Sequence, residues 1–257
     1  MVLLQYLNKG VMRIVLNRPE TFNAFNREMA LALQELLDSA AEDEDIRAVL
    51  LTGEGRAFCS GQDLTEAIDP EGPGLDRILS EHYNPIVRKM RALPKPIVVA
   101  VNGVAAGAGA NLALAGDVVV ASENANFIQA FSKIGLIPDT GGTLTLPRLV
   151  GPAKASAWMM LGDKVSAAEA ERSGMIYKVF PADSLEAEAQ KLAETLAESP
   201  TQAFALTKQA LNASTYAGLD AQLELERRLQ NEAGATQDFK EGVSAFLEKR
   251  PAVYTGK

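Results

Sequence analysis

The chain has a single cysteine, Cys59, a single histidine, His82, and a single tryptophan among its 257 residues. A lone cysteine excludes an internal disulfide, and one cysteine with one histidine cannot furnish the four ligands of a usual structural zinc site. No apolar run is long enough to cross a bilayer, and the first residues lack the basic segment and apolar stretch of an export signal. There is no Lys/Arg-rich stripe either. The 25 basic residues stand against 33 acidic ones, a net charge of -8 that repels phosphate backbones and anionic lipid surfaces. These shortages argue against a disulfide-stapled secreted domain, a zinc module, a membrane protein and a nucleic-acid binder. The expected compartment is a reducing cytoplasm, and no metal or redox cofactor is expected.

What is present is an ordinary globular composition, 47% hydrophobic and 23% charged, on a chain long enough to bury a sizeable core. Residues 2 to 16 carry two β-prone runs, "VLLQYL" and "VMRIVLN", around a turn at Asn8, Lys9 and Gly10, which predicts a hairpin. A helical period follows over "REMALALQELLDSAAED", with Asn26 placed as its N-cap. The runs "IRAVLLTG", "PIVVAVNG" and "DVVVAS" read as strands, and their alternation with helical segments predicts parallel pairing through crossovers. A helix is expected over "LDRILSEHYNPIVRKMRAL", interrupted by Pro85, and "AIDPEGPG" at 67–74 is the loop-like stretch of the first half. Beyond Val179 the texture turns wholly helical, in four successive segments.

Two segments place a strand, a turn of small residues and a helix in succession: "AFCSGQDLTEA" and "VNGVAAGAGANLALAG". Glycines there let backbone approach a ligand, and unpaired N–H groups at a helix start can hold a phosphate or an oxyanion. They can equally serve only as tight turns. The spacing is not that of a dinucleotide fingerprint, and two donor-rich turns favour an oxyanion hole. In "IGLIPDTGGT", Asp139 stands between an apolar run and two glycines, either as a helix cap or as a carboxylate whose pKa is raised by apolar surroundings. His82 is a packing residue or a partner for chemistry, and Cys59 reads as packing.

The segments "LNRPETFNAFN", "LTGEGRAFCSGQDL", "KPIVVAVNGVAAGAGANLALAGDVVVAS", "FSKIGLIPDTGGTLTLPRLVG" and "EGVSAFLEKR" together resemble the crotonase (enoyl-CoA hydratase/isomerase) superfamily, in order and over nearly the whole chain. Within it they look most like the branch that isomerises ring-1,2-epoxyphenylacetyl-CoA. The resemblance implies an α/β fold, a spiral of ββα units over residues 1–185, followed by an all-helical oligomerisation region over 186–257 that builds a homotrimer or a dimer of trimers. It implies an acyl-CoA substrate, with CoA as part of that substrate and no separate cofactor.

The same resemblance implies particular residues. The thioester oxygen is expected between the backbone N–H groups of Gln62 and Ala108, with Gly107, Asn111 and Phe131 lining the substrate pocket. For the coenzyme it suggests Ala24, Ser60, Asp63 and Leu64, with Phe246 and Lys249 near the adenine or ribose phosphate, in cis or from a neighbouring subunit. The carboxylate of Asp63 also suits backbone N–H groups of its own turn, and Arg18 suits either a CoA phosphate or its own loop. The two glutamates that serve family hydratases fall on Asn111 and Phe131, neither of which is an acid or a base. Asp139 falls where family isomerases carry their carboxylate, so an isomerase acting through Asp139 is expected, with a general 3-enoyl to 2-enoyl isomerase, a hydratase or hydrolase, and a non-catalytic CoA-thioester binder as alternatives.

Overall fold

The chain opens, in a computed structural model that describes residues 1–257, with β1 (Leu3–Asn8) and β2 (Val11–Leu16) paired antiparallel. The turn between them sets Lys9 and Gly10 at φ +48° and +72°, the left-handed pair whose twist matches a hairpin. In α1 (Arg27–Glu42), Asn26 is the expected cap and accepts from the Met29 N–H at 3.0 Å. Its apolar stripe of Met29, Ala30, Leu33, Leu37 and Ala40 is buried.

There follow β3 (Ala48–Gly53), β4 (Ala57–Cys59), α2 (Leu64–Ile68), α3 (Gly74–Arg77) and α4 (Asn84–Ala92). Next come β5 (Ile97–Val101), β6 (Val104–Ala106), α5 (Ala108–Leu114), β7 (Val118–Ser122) and β8 (Asn126–Ile128). A 3-10 turn at Ala130–Ile134 leads to α6 (Gly142–Val150), α7 (Pro152–Leu161), β9 (Lys164–Ser166), α8 (Ala167–Arg172) and β10 (Lys178–Phe180).

Strands alternate between two sheets. The wide sheet has the order β1-β2-β3-β5-β7-β10 and is parallel after the hairpin, while the narrow one has the order β4-β6-β8-β9. Each pair of consecutive strands, β3 with β4, β5 with β6 and β7 with β8, gives one member to each sheet before the chain turns back, which is the expected ββα spiral. The central strands β3, β5 and β7 read as near-continuous apolar runs because both faces of the sheet are covered there, whereas β1 at the edge leaves Tyr6 and Leu7 exposed. One face packs on Met29, Leu33 and Leu37 of α1 within the main core, where each fully buried side chain of this size contributes about 1.5–3 kcal/mol. The narrow sheet has no signature in the sequence, since its strands of three residues are too short to show alternation.

Two expectations are corrected. Pro85 does not end its helix: Ile78–Tyr83 widen into a π-helical turn that runs directly into α4, and this wider turn shifts the hydrogen-bond pattern just ahead of the residue that has no N–H to donate. The boundary between residues 185 and 186 cuts into a core helix. In α9 (Leu185–Ala197), Leu185, Ala189, Ala193 and Ala197 cover the second face of the wide sheet, against Leu50, Val98 and Val120. The separate helical segment begins only with α10 (Thr201–Ser214), α11 (Leu219–Gly234) and α12 (Gln237–Glu248).

An ion pair with a buried lysine, Lys208, docks α10 on the spiral. Asp117, at the start of β7, accepts from Lys208 Nζ at 2.7 Å, the Ile97 N–H at 2.9 Å and Arg91 Nη1 at 3.1 Å. Burial pulls the Lys208 amine below its ordinary value, against the pull of Asp117, so the pair holds a charge that the site alone would not favour. Removing only the acid strands that charge. Asp117→Ala is therefore expected to destabilise the fold by about 3–5 kcal/mol, read as a lowered urea midpoint.

Candidate active site

The two glycine-bearing turns meet. Gly61, between β4 and α2, has φ +98°, and a Cβ built there would stand 3.0 Å from the Ala106 carbonyl oxygen and 3.5 Å from the Ala108 nitrogen. Gly107 has φ +53° and ψ -128°, a conformation reserved for glycine, and it turns the chain from β6 into α5. Gly109, in the first turn of α5, is pressed on the end of β4: a Cβ there would fall 2.4 Å from the Cys59 oxygen and 2.7 Å from its Sγ.

These contacts bring the backbone N–H groups of Gln62 and Ala108 together, and neither has an acceptor within the protein. The orientation of Gln62 follows from a one-residue bridge to Phe25. Phe25 N–H donates to Gly61 and Asp63 N–H donates to Phe25, both at 2.8 Å, so the groups flanking Gln62 face Phe25 and its own N–H faces away. The Gln62 side chain donates to Glu66 at 3.0 Å, and the Glu66 carboxylate in turn accepts from the Arg27 N–H at 2.9 and 3.1 Å, tying this turn to the start of α1.

Asp139 reaches the same region through α5. Asn111, one turn after Ala108, donates from Nδ2 to the Asp139 carbonyl at 2.8 Å and accepts from Gln129 at 2.8 Å. Its amide is thus shared between two protein partners, where the sequence suggested contact with substrate. Phe131 is buried and its ring approaches the place a Gly107 Cβ would take, 3.9 Å away, as a wall beside that turn.

The Asp139 side chain does not cap α6, whose N-cap is Gly141. It accepts from the Thr140 hydroxyl at 2.6 Å and has no ion-pair partner. Burial raises its carboxyl above the ordinary aspartate value, more than the hydrogen bond from Thr140 lowers it. The preceding apolar run does not supply that burial with Ile134 or Ile137, which are both exposed.

Asp63 is already paired. Burial pushes the Asp63 carboxyl up, but the Arg18 guanidinium at 2.9 Å and the Thr65 N–H at 3.1 Å outweigh it and hold the group below its usual value. Asp63 caps α2, and Arg18, which also donates to the Ala24 carbonyl, anchors its own loop. His82 is buried on the π-helical turn, its Nε2 3.1 Å from Arg27 Nη1, so Nε2 accepts and Nδ1 carries the proton without a partner. Burial, against the pull of Glu66, lowers its pKa and keeps it neutral. Burial pushes the Cys59 thiol up to about 12, which leaves it an inert packing group.

Of the residues suggested for the coenzyme, Ala24, Ser60, Asp63 and Leu64 lie along the rim of the Gln62 turn. The Ser60 N–H donates to Phe22, and Leu64 is exposed as the first residue of α2. Phe246 and Lys249 are elsewhere, at the end of α12, where the groove beside Phe246 is lined by Phe239, Leu247 and Tyr254. Phe246 is 82% exposed, so within one chain nothing packs on it. No three His, Cys, Asp or Glu side chains come together in a way that would hold a metal ion.

Three residues of the site carry no signal in the sequence. Gln129 holds Asn111, Thr140 holds Asp139, and Tyr83, tilted on Phe25 at 5.8 Å between ring centres, buries a hydroxyl with no partner. Thr140 lies in the quoted segment around Asp139 without being singled out there, and the roles of all three arise from packing.

A family model described as Enoyl-CoA hydratase/isomerase matches residues 7–257. The 1,2-epoxyphenylacetyl-CoA isomerase of Escherichia coli (strain K12) is 51% identical over 258 residues, with 99% of this chain and 98% of that protein covered. A protein of Rhodobacter capsulatus named a probable enoyl-CoA hydratase is 48% identical over 251 residues, covering 98% and 96%. Among solved structures, an enoyl-CoA hydratase from Bacillus anthracis superposes with a TM-score of 0.95 at 32% identity, all of both chains being covered.

The close approach at Gly109 is open to a direct check. Gly109→Ala drives a methyl group into backbone that no rotamer change can move, and is expected to cost about 1–3 kcal/mol in a thermal or urea unfolding experiment. Gly234→Ala, where a Cβ would meet nothing, is expected to raise stability by about 0.5–1 kcal/mol in the same experiment.

Proposed function

The chain belongs to the enoyl-CoA hydratase/isomerase family, and within it we propose an acyl-CoA isomerase that moves a proton with one carboxylate, Asp139. One observation carries this reading. Of the carboxylates around the Gln62 and Ala108 turns, Asp63 is consumed by Arg18 and Thr65, and Glu66 by Arg27 and Gln62. Asp139 alone has only a neutral hydroxyl as its side-chain partner. Asn111 and Phe131 add neither an acid nor a base, so the second acid that hydration calls for is missing.

The substrate in this reading is an acyl-CoA thioester whose oxygen lies between the N–H groups of Gln62 and Ala108. Taking a proton from the carbon beside the thioester gathers negative charge on that oxygen, and each donor aimed at it is typically worth about 3–4 kcal/mol of barrier. Asp139, desolvated and more basic than an ordinary aspartate, takes the proton and returns it to a carbon further along the conjugated system. The double bond shifts, and no atom is gained or lost.

The finer proposal is conversion of ring-1,2-epoxyphenylacetyl-CoA to oxepin-CoA, supported by the 51% identity to the Escherichia coli isomerase over nearly the full length. Valence rearrangement of the epoxide opens its shared carbon–carbon bond to the seven-membered ring, and the Asp139 proton shift then yields the ylidene thioester. The reaction needs no cofactor beyond the CoA that the substrate brings. We also propose that the exposed apolar face of α12, with Phe239, Phe246 and Leu247, packs on a second copy in a trimer or a dimer of trimers, where Phe246 and Lys249 would meet the coenzyme of a neighbour. No helix is long and apolar enough to cross a membrane, and a cytoplasmic location fits this reading.

Two outcomes test it. Asp139→Asn is expected to lower kcat on the aromatic epoxide and on a straight-chain 3-enoyl-CoA by about 10²–10⁴-fold, and to stop deuterium from solvent entering product; full activity in the variant overturns the mechanism. In the wild type, the base works only when ionised. Because its pKa is raised, kcat/KM should climb with pH through a limb that lies above the ordinary aspartate value of about 4; a limb at or below that value contradicts the assignment.

A further inference from the structure

The residue after Asp139 has a backbone that its side chain does not favour. Thr140 sits at φ +54°, in the left-handed region, where a β-branched residue is strained and where glycine or asparagine would be at ease. It is followed by Gly141 at φ +78° and is itself buried, 3% exposed. Such a conformation persists only where the surroundings over-determine it. Here they do so through the Asp139 carbonyl, which accepts from the Gly142 N–H at 2.8 Å and from Asn111 Nδ2 at 2.8 Å, with Asn111 held in turn by Gln129. Gly142 itself has no room for a side chain against Asn111, whose Nδ2 would lie 2.2 Å from a Cβ there.

The strained turn delivers the hydroxyl. Thr140 Oγ1 donates to Asp139 Oδ1 at 2.6 Å and makes no other hydrogen bond. Glycine would relieve the backbone and lose that donor. We infer that Thr140 is a positioning residue, whose hydroxyl fixes Oδ1 of Asp139, sets the basicity of the carboxylate and leaves Oδ2 as the oxygen that carries the proton. The inference rests on the reading of Asp139 as the base and goes beyond it, by assigning what controls that base.

The physical logic is a balance. Burial favours the neutral form of Asp139, which cannot accept a proton; the Thr140 hydroxyl, and after it the backbone N–H of Asp139, favour the ionised form and work against burial. No charged side chain takes part in that balance. α5 carries no titratable side chain, Arg148 of α6 is turned to the carbonyls of Leu144 and Thr215, Lys133 lies against Gly162, and Arg91 of α4 is held by Asp117. From the π-helical turn, Tyr83 feels the charge of Asp139 and stays neutral, its hydroxyl held well above its ordinary value first by burial.

The test compares Thr140→Val, which keeps the shape and the strain but removes the hydroxyl, with Thr140→Ser, which keeps the hydroxyl. The pH dependence of kcat/KM on 3-hexenoyl-CoA is measured for each, together with an infrared titration of the Asp139 carboxyl, taken as wild type minus Asp139→Asn. Thr140→Val is expected to move the acid limb and the carboxyl titration up by about one pH unit, so that activity on that limb falls about tenfold, while Thr140→Ser stays within a few tenths of a unit of the wild type. An unmoved carboxyl titration in Thr140→Val, or a shift in Thr140→Ser as large as that in Thr140→Val, overturns the inference. If Asp139→Asn proves fully active, the reading of Asp139 as the base falls, and the infrared titration still decides whether Thr140 governs the acidity of that carboxyl.

Discussion

The close contact between the first turn of α5 and the end of β4 is the constraint on which the site depends. With only hydrogen at Gly109, the helix start rests directly on the Cys59 backbone, and that depth brings the Ala108 N–H beside the Gly61–Gln62 turn. One helical turn further, the same placement lets Asn111 reach the Asp139 carbonyl. A single steric condition thus sets both the pair of free N–H groups and the location of the carboxylate. Cys59 serves as the floor for this contact, and its neutral thiol fits that use better than chemistry.

Around this point the charges are arranged by pairing. Arg18 satisfies Asp63, the start of α1 satisfies Glu66, and His82 stays neutral beside Arg27. Asp139 is the exception, desolvated without a cation and moderated by the Thr140 hydroxyl and its own backbone N–H. Such an environment suits a group that must take up a proton and give it back, because desolvation makes the carboxylate a stronger base than an ordinary aspartate. Strain at Thr140 and a buried, unpartnered hydroxyl at Tyr83 border the same carboxylate, which is where departures from local rules are expected to gather.

The second face of the wide sheet shows how the spiral and the helices divide the chain. α9 is sequence-adjacent to the helical segment but packs as a layer of the core, with small residues at every fourth position close on the strands. α10 is anchored by the Lys208–Asp117 pair, and α12 leaves Phe246 in the open.

The hairpin, the Asn26 cap, the buried parallel strands and the helical texture after Val179 were legible in the sequence, because each rests on local chemistry: turn residues, capping oxygens and apolar runs of adequate length. The segments carrying Gln62, Ala108 and Asp139 were legible too, from their glycines and from resemblance to a family. The strands of the narrow sheet were not, since three residues show no period, and neither was the π-helical turn that absorbs Pro85. The sequence by itself determined which elements form and which residues were available for chemistry. Only the tertiary structure decided that Asn111 braces a backbone, that Asp63 pairs with Arg18, and that Thr140 turns left-handed against its own preference, because each of these depends on groups far apart in the chain being brought within a few ångströms by packing.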